Sequence, residues 1–289
     1  MRRVRRIVCL LALMLGVLLA DVRGQDVIFR AAADAVTVGV SVRRAGRPVT
    51  DLAAADFTVS DNGVVQTLQT FGYEKLPVDI TVLFDVSGSV AGSALTQLRR
   101  ALGDFRASLR PDDRMRLVVF NMRVRQLLDF GAPSASADAA FASLVPGGSS
   151  SVSDALAVAL ASGTPPGRRH FVVMFSDGRD SASITRPEAL LDVARRTTPT
   201  VSIVLATPAR QWSDSLYAEI AAETGGTVVS LLPTETLGGS LRRALDEFRS
   251  SYTLTYVPEG VARDGAHAID VKVRRPGVDV RARKGYVVQ

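Results

Sequence analysis

Two stretches of this chain carry near-continuous apolar runs: ITVLF within VDITVLFDV at 78–86, and FVVMF within HFVVMFSDG at 170–178. A strand with one face in water alternates apolar and polar residues, so a continuous run marks a strand covered on both faces. The sequence between and after these runs supplies the covers. Leu95, Leu98, Leu102, Phe105 and Leu109 recur at helical spacing, and Pro111 closes that segment. SVSDALAVALA, residues 186–196 with Pro187 near their start, residues 214–224 ahead of Gly225-Gly226, and Leu237 to Phe248 read as further helices. TVSIVLA and TVVSLL add strands, and RMRLVVFN with VRQLLDF predicts a hairpin around Asn121-Met122. The order predicts an α/β fold: a Rossmann-like, doubly wound, mostly parallel sheet.

Both flanks change pattern. AVTVGVSV alternates strongly, and DFTVSDNGVVQTLQTF predicts two short strands around a tight turn at Asp61-Asn62-Gly63. After Ser250, SYTLTYVP, AHAIDVKVRR and VDVRARKGYVV predict three more strands. Neither set has enough strands to close a core alone. The expected organisation is therefore 1–24 as a signal peptide, 25–75 as an N-terminal β segment, 76–250 as the α/β domain, and 251–289 as a C-terminal β segment. The two β segments are expected to pack together as one sandwich-like module.

The leader reading rests on MRRVRR, then a 14-residue apolar stretch from Ile7 to Ala20. A membrane-crossing helix needs about 20 apolar residues. Cleavage after Ala20 or Gly24 would put the mature chain in the periplasm, the cell envelope or the medium, with no membrane span; an uncleaved anchor is the alternative. Much of the formal charge of +6 is leader. Without the five arginines and one aspartate of residues 1–24, 30 basic residues face 28 acidic ones, a net +2 that gives no case for nucleic acid.

Chemistry is expected where buried parallel strands end, at the switch point in strand order. Three polar loops fall there: Asp85-Val86-Ser87-Gly88-Ser89, GGSSSVSDAL with Ser149 and Ser150, and FSDGRD with Asp177. Carboxylates and hydroxyls without His or Cys suit a hard divalent cation, Mg²⁺, Mn²⁺ or Ca²⁺. Neutral hydroxyls leave such an ion electrophilic, ready for one more anionic oxygen such as an Asp or Glu carboxylate on a partner protein. Asp79 and Asp180 read as solvated or capping, and Asp154 as first-turn helix chemistry. Asp85→Ala is expected to leave folding largely intact.

Catalysis is not expected. The single cysteine, Cys9, lies in the leader. His170 begins its strand, at the wrong end of the sheet from Ser87, and His267 reads as exposed in the β segment. No P-loop, Rossmann glycine triplet or zinc signature is present.

The three loops resemble the metal-ion-dependent adhesion site of von Willebrand factor type A (VWFA) domains, an Asp-x-Ser-x-Ser loop, a Thr in a second loop and an Asp in a third. Asp85, Ser87 and Ser89 match the first element and Asp177 the third. The Thr is replaced: counting back from Ala155-Leu156 gives Ser150, counting forward from Gly147-Gly148 gives Ser149. RRAGRPVTDLAAADFTVSDNGVVQTLQTF and SYTLTYVPEG further resemble the acidobacterial VWFA-related family. The resemblance implies an exported, adhesion-type binding protein in which Asp85 anchors the metal, Ser87 and Ser89 coordinate directly, and Asp177 holds metal-bound water. The alternatives are an envelope assembly protein with a vestigial site, or a metal-dependent hydrolase.

Overall fold

A computed structural model describes residues 35–73, 76–90, 92–131, 139, 144–165, 167–205, 215–231 and 234–288. The leader and its cleavage sites lie outside the described residues. Five strands come first: β1 (Val36–Arg44), β2 (Arg47–Pro48), β3 (Phe57–Asp61), β4 (Val64–Gln66) and β5 (Leu68–Tyr73). The α/β part follows with β6 (Val78–Asp85), α1 (Ser93–Ala107), β7 (Arg114–Phe120), β8 (Val124–Gly131), α2 (Val152–Leu160) and β9 (Arg169–Ser176). It continues with α3 (Pro187–Arg196), β10 (Thr200–Leu205), α4 (Leu216–Thr224), β11 (Val228–Ser230) and α5 (Leu237–Arg249). The chain ends in β12 (Tyr252–Tyr256), β13 (Gly265–Val273), β14 (Asp279–Ala282) and β15 (Gly285–Val288).

The central sheet has the order β11-β10-β9-β6-β7-β8. All its pairs are parallel except β7 with β8, which form a hairpin. Every residue of β6 is buried, as its continuous apolar run requires. On one face, Leu98, Leu102 and Phe105 of α1 meet Leu241, Leu245 and Phe248 of α5 over Ile80, Val82 and Phe84. On the other face, α2, α3 and α4 cover Leu83, Val172 and Met174. From β6 the chain moves outward through β7 and β8, then returns to the other side of β6 with β9. The order therefore switches between β6 and β9, and the carboxyl ends of these two strands flank a crevice.

The flanking strands form two antiparallel groups. One runs β14-β1-β12-β5 with β2 on β1, the other β15-β13-β3-β4. They share one apolar cluster, with Val38, Val40, Leu254 and Tyr256 from the first and Phe57, Val59 and Ile269 from the second. The chain enters the α/β part after Tyr73 and returns at Tyr252, and these two residues are register partners in neighbouring strands. Entry and exit are thus pinned side by side. Tyr252 locks the junction: its hydroxyl donates to Val49 O (2.9 Å) and accepts from Leu52 N (3.0 Å), and its ring packs on Phe57, Phe71 and Tyr73.

Several sequence expectations need correction. DFTVSDNGVVQTLQTF holds three strands, not two: β3 and β4 turn at Asn62 (φ 46°) and Gly63 (φ 83°), then β5 crosses to the other group. VDVRARKGYVV is likewise two strands, β14 on β1 and β15 on β13. His267 is buried, not exposed. Its Nδ1 donates to the Asp61 carboxylate (2.8 Å), which also accepts from the Tyr256 and Tyr286 hydroxyls, and its ring stacks on Tyr286. Asp79 is fully buried rather than solvated, and ion-paired to Arg114 (2.5 Å) and Arg168 (2.6 Å).

Gly285 stands where the chain changes sheets. A Cβ there would lie 2.2 Å from the His267 carbonyl oxygen, a backbone atom with no freedom to give way. Gly103, inside α1, has nothing within 4 Å of its would-be Cβ. Gly285→Ala should therefore cost about 1–3 kcal/mol or more, whereas Gly103→Ala should add about 0.5–1 kcal/mol. Urea unfolding midpoints read both, and equal shifts in one direction would contradict this packing.

Candidate metal centre

The carboxyl end of β6 is where its buried hydrophobic run meets polar chemistry. Asp85 is its last residue and is fully buried. Oδ1 accepts from Ser87 N (2.9 Å), closing a turn of the kind Asp makes two residues ahead. Oδ2 accepts from two hydroxyls, Ser150 Oγ (2.9 Å) and Ser176 Oγ (2.8 Å). Ser87 Oγ and Ser89 Oγ lie 3.1 Å apart. Asp177 repeats the Asp85 turn, with Oδ1 accepting from Arg179 N (3.0 Å). Gly178, in the left-handed region at φ 81°, completes it and donates its N–H to Ser176 Oγ.

Backbone bonds stitch the three loops together. Gly147 N donates to Val86 O and Gly88 N to Gly148 O, both at 3.0 Å. Ser181 N and Ala182 N both donate to Ser150 O. Asn121, just past β7, holds the serine loop from the other side: its Nδ2 donates to Gly147 O and its carbonyl accepts from Ser151 N. Asp180 fixes the start of α2 from outside that helix, accepting from Ser153 N (2.9 Å), Ser153 Oγ (2.7 Å) and Tyr217 OH (3.2 Å). Burial works against its ionisation, but the bonds from Ser153 and Ser183 outweigh it and hold its pKa below the usual carboxylate value. Asp154, in the first turn of α2, accepts from Ile184 N and Thr185 N and pins the loop after β9.

Asp85, Ser87, Ser89 and Ser150 thus share one corner. Asp177 joins through its neighbour Ser176, and only one of its oxygens accepts a hydrogen bond among the described residues. Ser149 is exposed and makes no bond to Asp85, whereas Ser150 is buried and does. Sequence reasoning missed Ser176 and Asn121. Both are last-strand or first-loop residues at carboxyl strand ends, and that position was the available signal. His170 lies at the opposite end of the sheet, its Nε2 2.9 Å from Thr81 Oγ1. Burial, helped by the charge of Arg116, pushes its pKa down to about 4, so it is neutral at neutral pH.

The donor set fits a hard cation. No basic side chain among the described residues pairs with Asp85 or Asp177, so a buried carboxylate faces only hydroxyls and an amide. A buried charge without a counter-ion is costly. The hydroxyls that donate to Asp85 must turn their lone pairs away from it. Adjacent ligands of an octahedral ion at about 2.1 Å are about 3.0 Å apart, close to the Ser87–Ser89 separation. Among the described residues no three His, Cys, Asp or Glu side chains gather as a metal set.

A family model for the von Willebrand factor type A domain matches residues 79–240, more than half of the chain. Similar solved structures include a von Willebrand factor type A protein from Catenulispora acidiphila (13% identity, 86% of this chain and 73% of that one, TM-score 0.49). Another is an aerotolerance-related membrane protein from Bacteroides fragilis (16% identity, 59% and 98%, TM-score 0.46). A third is proximal thread matrix protein 1 from the mussel byssus with a zinc-occupied MIDAS motif (16% identity, 65% and 49%, TM-score 0.48). No curated protein matches the chain.

The Asp85 contacts revise the expected effect of removing it. Asp85→Ala strands the Ser87 amide and the Ser150 and Ser176 hydroxyls, and a buried donor left unpaired costs about 1–3 kcal/mol. The metal-free variant should lose at least about 2 kcal/mol by urea unfolding, and Asp85→Asn, which keeps an acceptor oxygen, should lose less. A metal-free Asp85→Ala protein as stable as wild type would contradict this arrangement.

Proposed function

This chain belongs to the von Willebrand factor type A domain family, and on that premise we propose that it is a binding protein that holds a divalent cation and presents it to a carboxylate on a protein partner. The observation that carries the reading is the buried Asp85 carboxylate, without a basic partner among the described residues and held by serine hydroxyls. When bound, the ion would supply a Lewis-acidic point to which an Asp or Glu side chain could attach. Ser87, Ser89 and Ser150 are the residues to hold it, with Ser150 in the Thr position. Asp85 acts mainly by orienting hydroxyls and supplying charge. Asp177, only one of whose oxygens accepts a hydrogen bond among the described residues, would hold the ion or its water with the other. Mg²⁺ and Mn²⁺ are the preferred ions, because six oxygens at short distance suit small hydroxyl ligands.

A protein partner is supported by the surface around this corner. Met122, Val145 and Ile184 are 64%, 80% and 90% exposed, and all three sit on loops tied to the serine loop or next to it. Met122 lies against Gly148, and the Ile184 amide is bonded to Asp154. Exposed apolar side chains beside a polar centre would supply apolar contact area to a partner seated there. The same reading takes residues 76–250 as a doubly wound domain. It takes 25–75 with 251–289 as one sandwich-like module that carries it, and the leader as an export signal. No helix among the described residues is long and apolar enough to cross a membrane.

Isothermal titration with Mn²⁺ and Mg²⁺ tests the site. Ser150→Ala should weaken binding by about tenfold or more, and Ser149→Ala should leave it within about twofold, as its exposed hydroxyl is not bonded to Asp85. Wild-type protein that takes up neither ion at millimolar concentration, even with acetate present, would overturn the proposal.

A further inference from the structure

A second site emerges on the side of the molecule where α3 meets the β strands. A cavity of about 400 Å³ opens there, between the last turn of α3, the start of β1, the end of β12 and the β15 strand. That volume is within the range of small-molecule sites, about 300–1,000 Å³. Four arginines line it, Arg195, Arg196, Arg263 and Arg283, and no Asp or Glu does. Concentrated positive charge in a concave site with low-dielectric walls attracts anions.

Arg283 is the unusual member. It is only 8% exposed, yet among the described residues its guanidinium has no carboxylate partner. Nε donates to Gly285 O (2.8 Å), and Nη2 to Thr197 O (2.9 Å) and more distantly to Arg195 O (3.4 Å). Burial pushes its pKa down, the mark of a cation whose charge is poorly compensated. Arg195 and Arg196 pair with Glu223 and Asp192, carboxylates that do not line the cavity. Arg263 is exposed and makes no ion pair among the described residues. Val257, Pro258 and Val287 supply apolar wall between the charges.

We propose that this cavity binds a small organic anion, its phosphate or carboxylate group received by Arg283 and Arg263 and its carbon frame lying on Val257, Pro258 and Val287. Guanidinium N–H groups suit both oxyanions; Arg263 offers a whole fork, whereas Arg283, whose Nε and Nη2 already donate to carbonyls, would offer its remaining N–H groups. The ligand would touch α3 and β15 at once, so occupancy would also brace the α/β part against the β strands. The site is separate from the Asp85 corner, which lies at the carboxyl ends of β6 and β9.

The test uses the full chain in buffer free of divalent ions, at ionic strength held constant with sodium chloride. Inorganic phosphate and succinate are the probes, followed by isothermal titration and by thermal unfolding. At least one should bind in the millimolar range or tighter and raise the unfolding temperature, and the one that binds names the headgroup. Arg263→Ser, an exposed change that should not disturb folding, should weaken that binding about tenfold. Arg283→Gln should abolish it, and if that variant does not fold, Arg263→Ser decides alone. Binding should persist in Asp177→Ala, which separates this site from the metal centre. If neither probe binds beyond the chloride control, or Arg263→Ser binds as wild type does, the proposal fails.

Discussion

A carboxylate at the end of the most buried strand is the constraint around which the polar part of the structure is organised. β6 is enclosed on every side, and Asp85 closes it with a charge that water does not reach. Such a group needs hydrogen-bond donors from several directions. They come from three separate loops: the Ser87 amide, the Ser150 hydroxyl and the Ser176 hydroxyl. The loops are then fastened to one another by main chain, through Val86 with Gly147, Gly88 with Gly148, and Ser150 with Ser181 and Ala182. One buried charge thereby fixes where hydroxyl oxygens sit, before any cation is considered.

The β strands solve a different problem. Inserting an α/β unit between two neighbouring strands costs little when its ends are close together. The register pairing of Tyr73 with Tyr252 meets that condition. Arg169 ties the unit down at the same place. Its guanidinium lies 3.9 Å from the Phe248 ring centroid and donates to Phe248 O and Ser251 Oγ, at the very end of α5. On the far side Arg283 reaches from the β15 approach to the carbonyls that follow α3, and Lys284 N donates to Glu223 O at the end of α4. The unit is held at its root and along one flank.

The legible part of this fold was the part written in local pattern. Continuous apolar runs identified β6 and β9, and helical spacing identified the covers, because burial on two faces imposes itself residue by residue. Asp85, Ser87 and Ser89 were legible because they lie on one short stretch. Ser150 could not be separated from Ser149 by counting. The distinction is that one hydroxyl turns inward to Asp85, and that depends on bonds to residue 181. The fates of Asp79 and His267 were hidden for the same reason: their partners, Arg114, Arg168 and Asp61, are remote in sequence. The division of VDVRARKGYVV into two strands was legible only at Arg283-Lys284-Gly285, where the alternation breaks, and the approach of Gly285 to His267 O marks the crossing in the structure.

The central claim is that a divalent ion settles among the Asp85, Ser87, Ser89, Ser150 and Asp177 oxygens. The most direct measurement is paramagnetic broadening of assigned backbone amides on addition of Mn²⁺, with Mg²⁺ as competitor. The account predicts that broadening at low Mn²⁺ centres on residues 85–89, 147–151 and 176–179 and is reversed by Mg²⁺. Broadening centred elsewhere, or none at stoichiometric Mn²⁺ with millimolar protein, would contradict it.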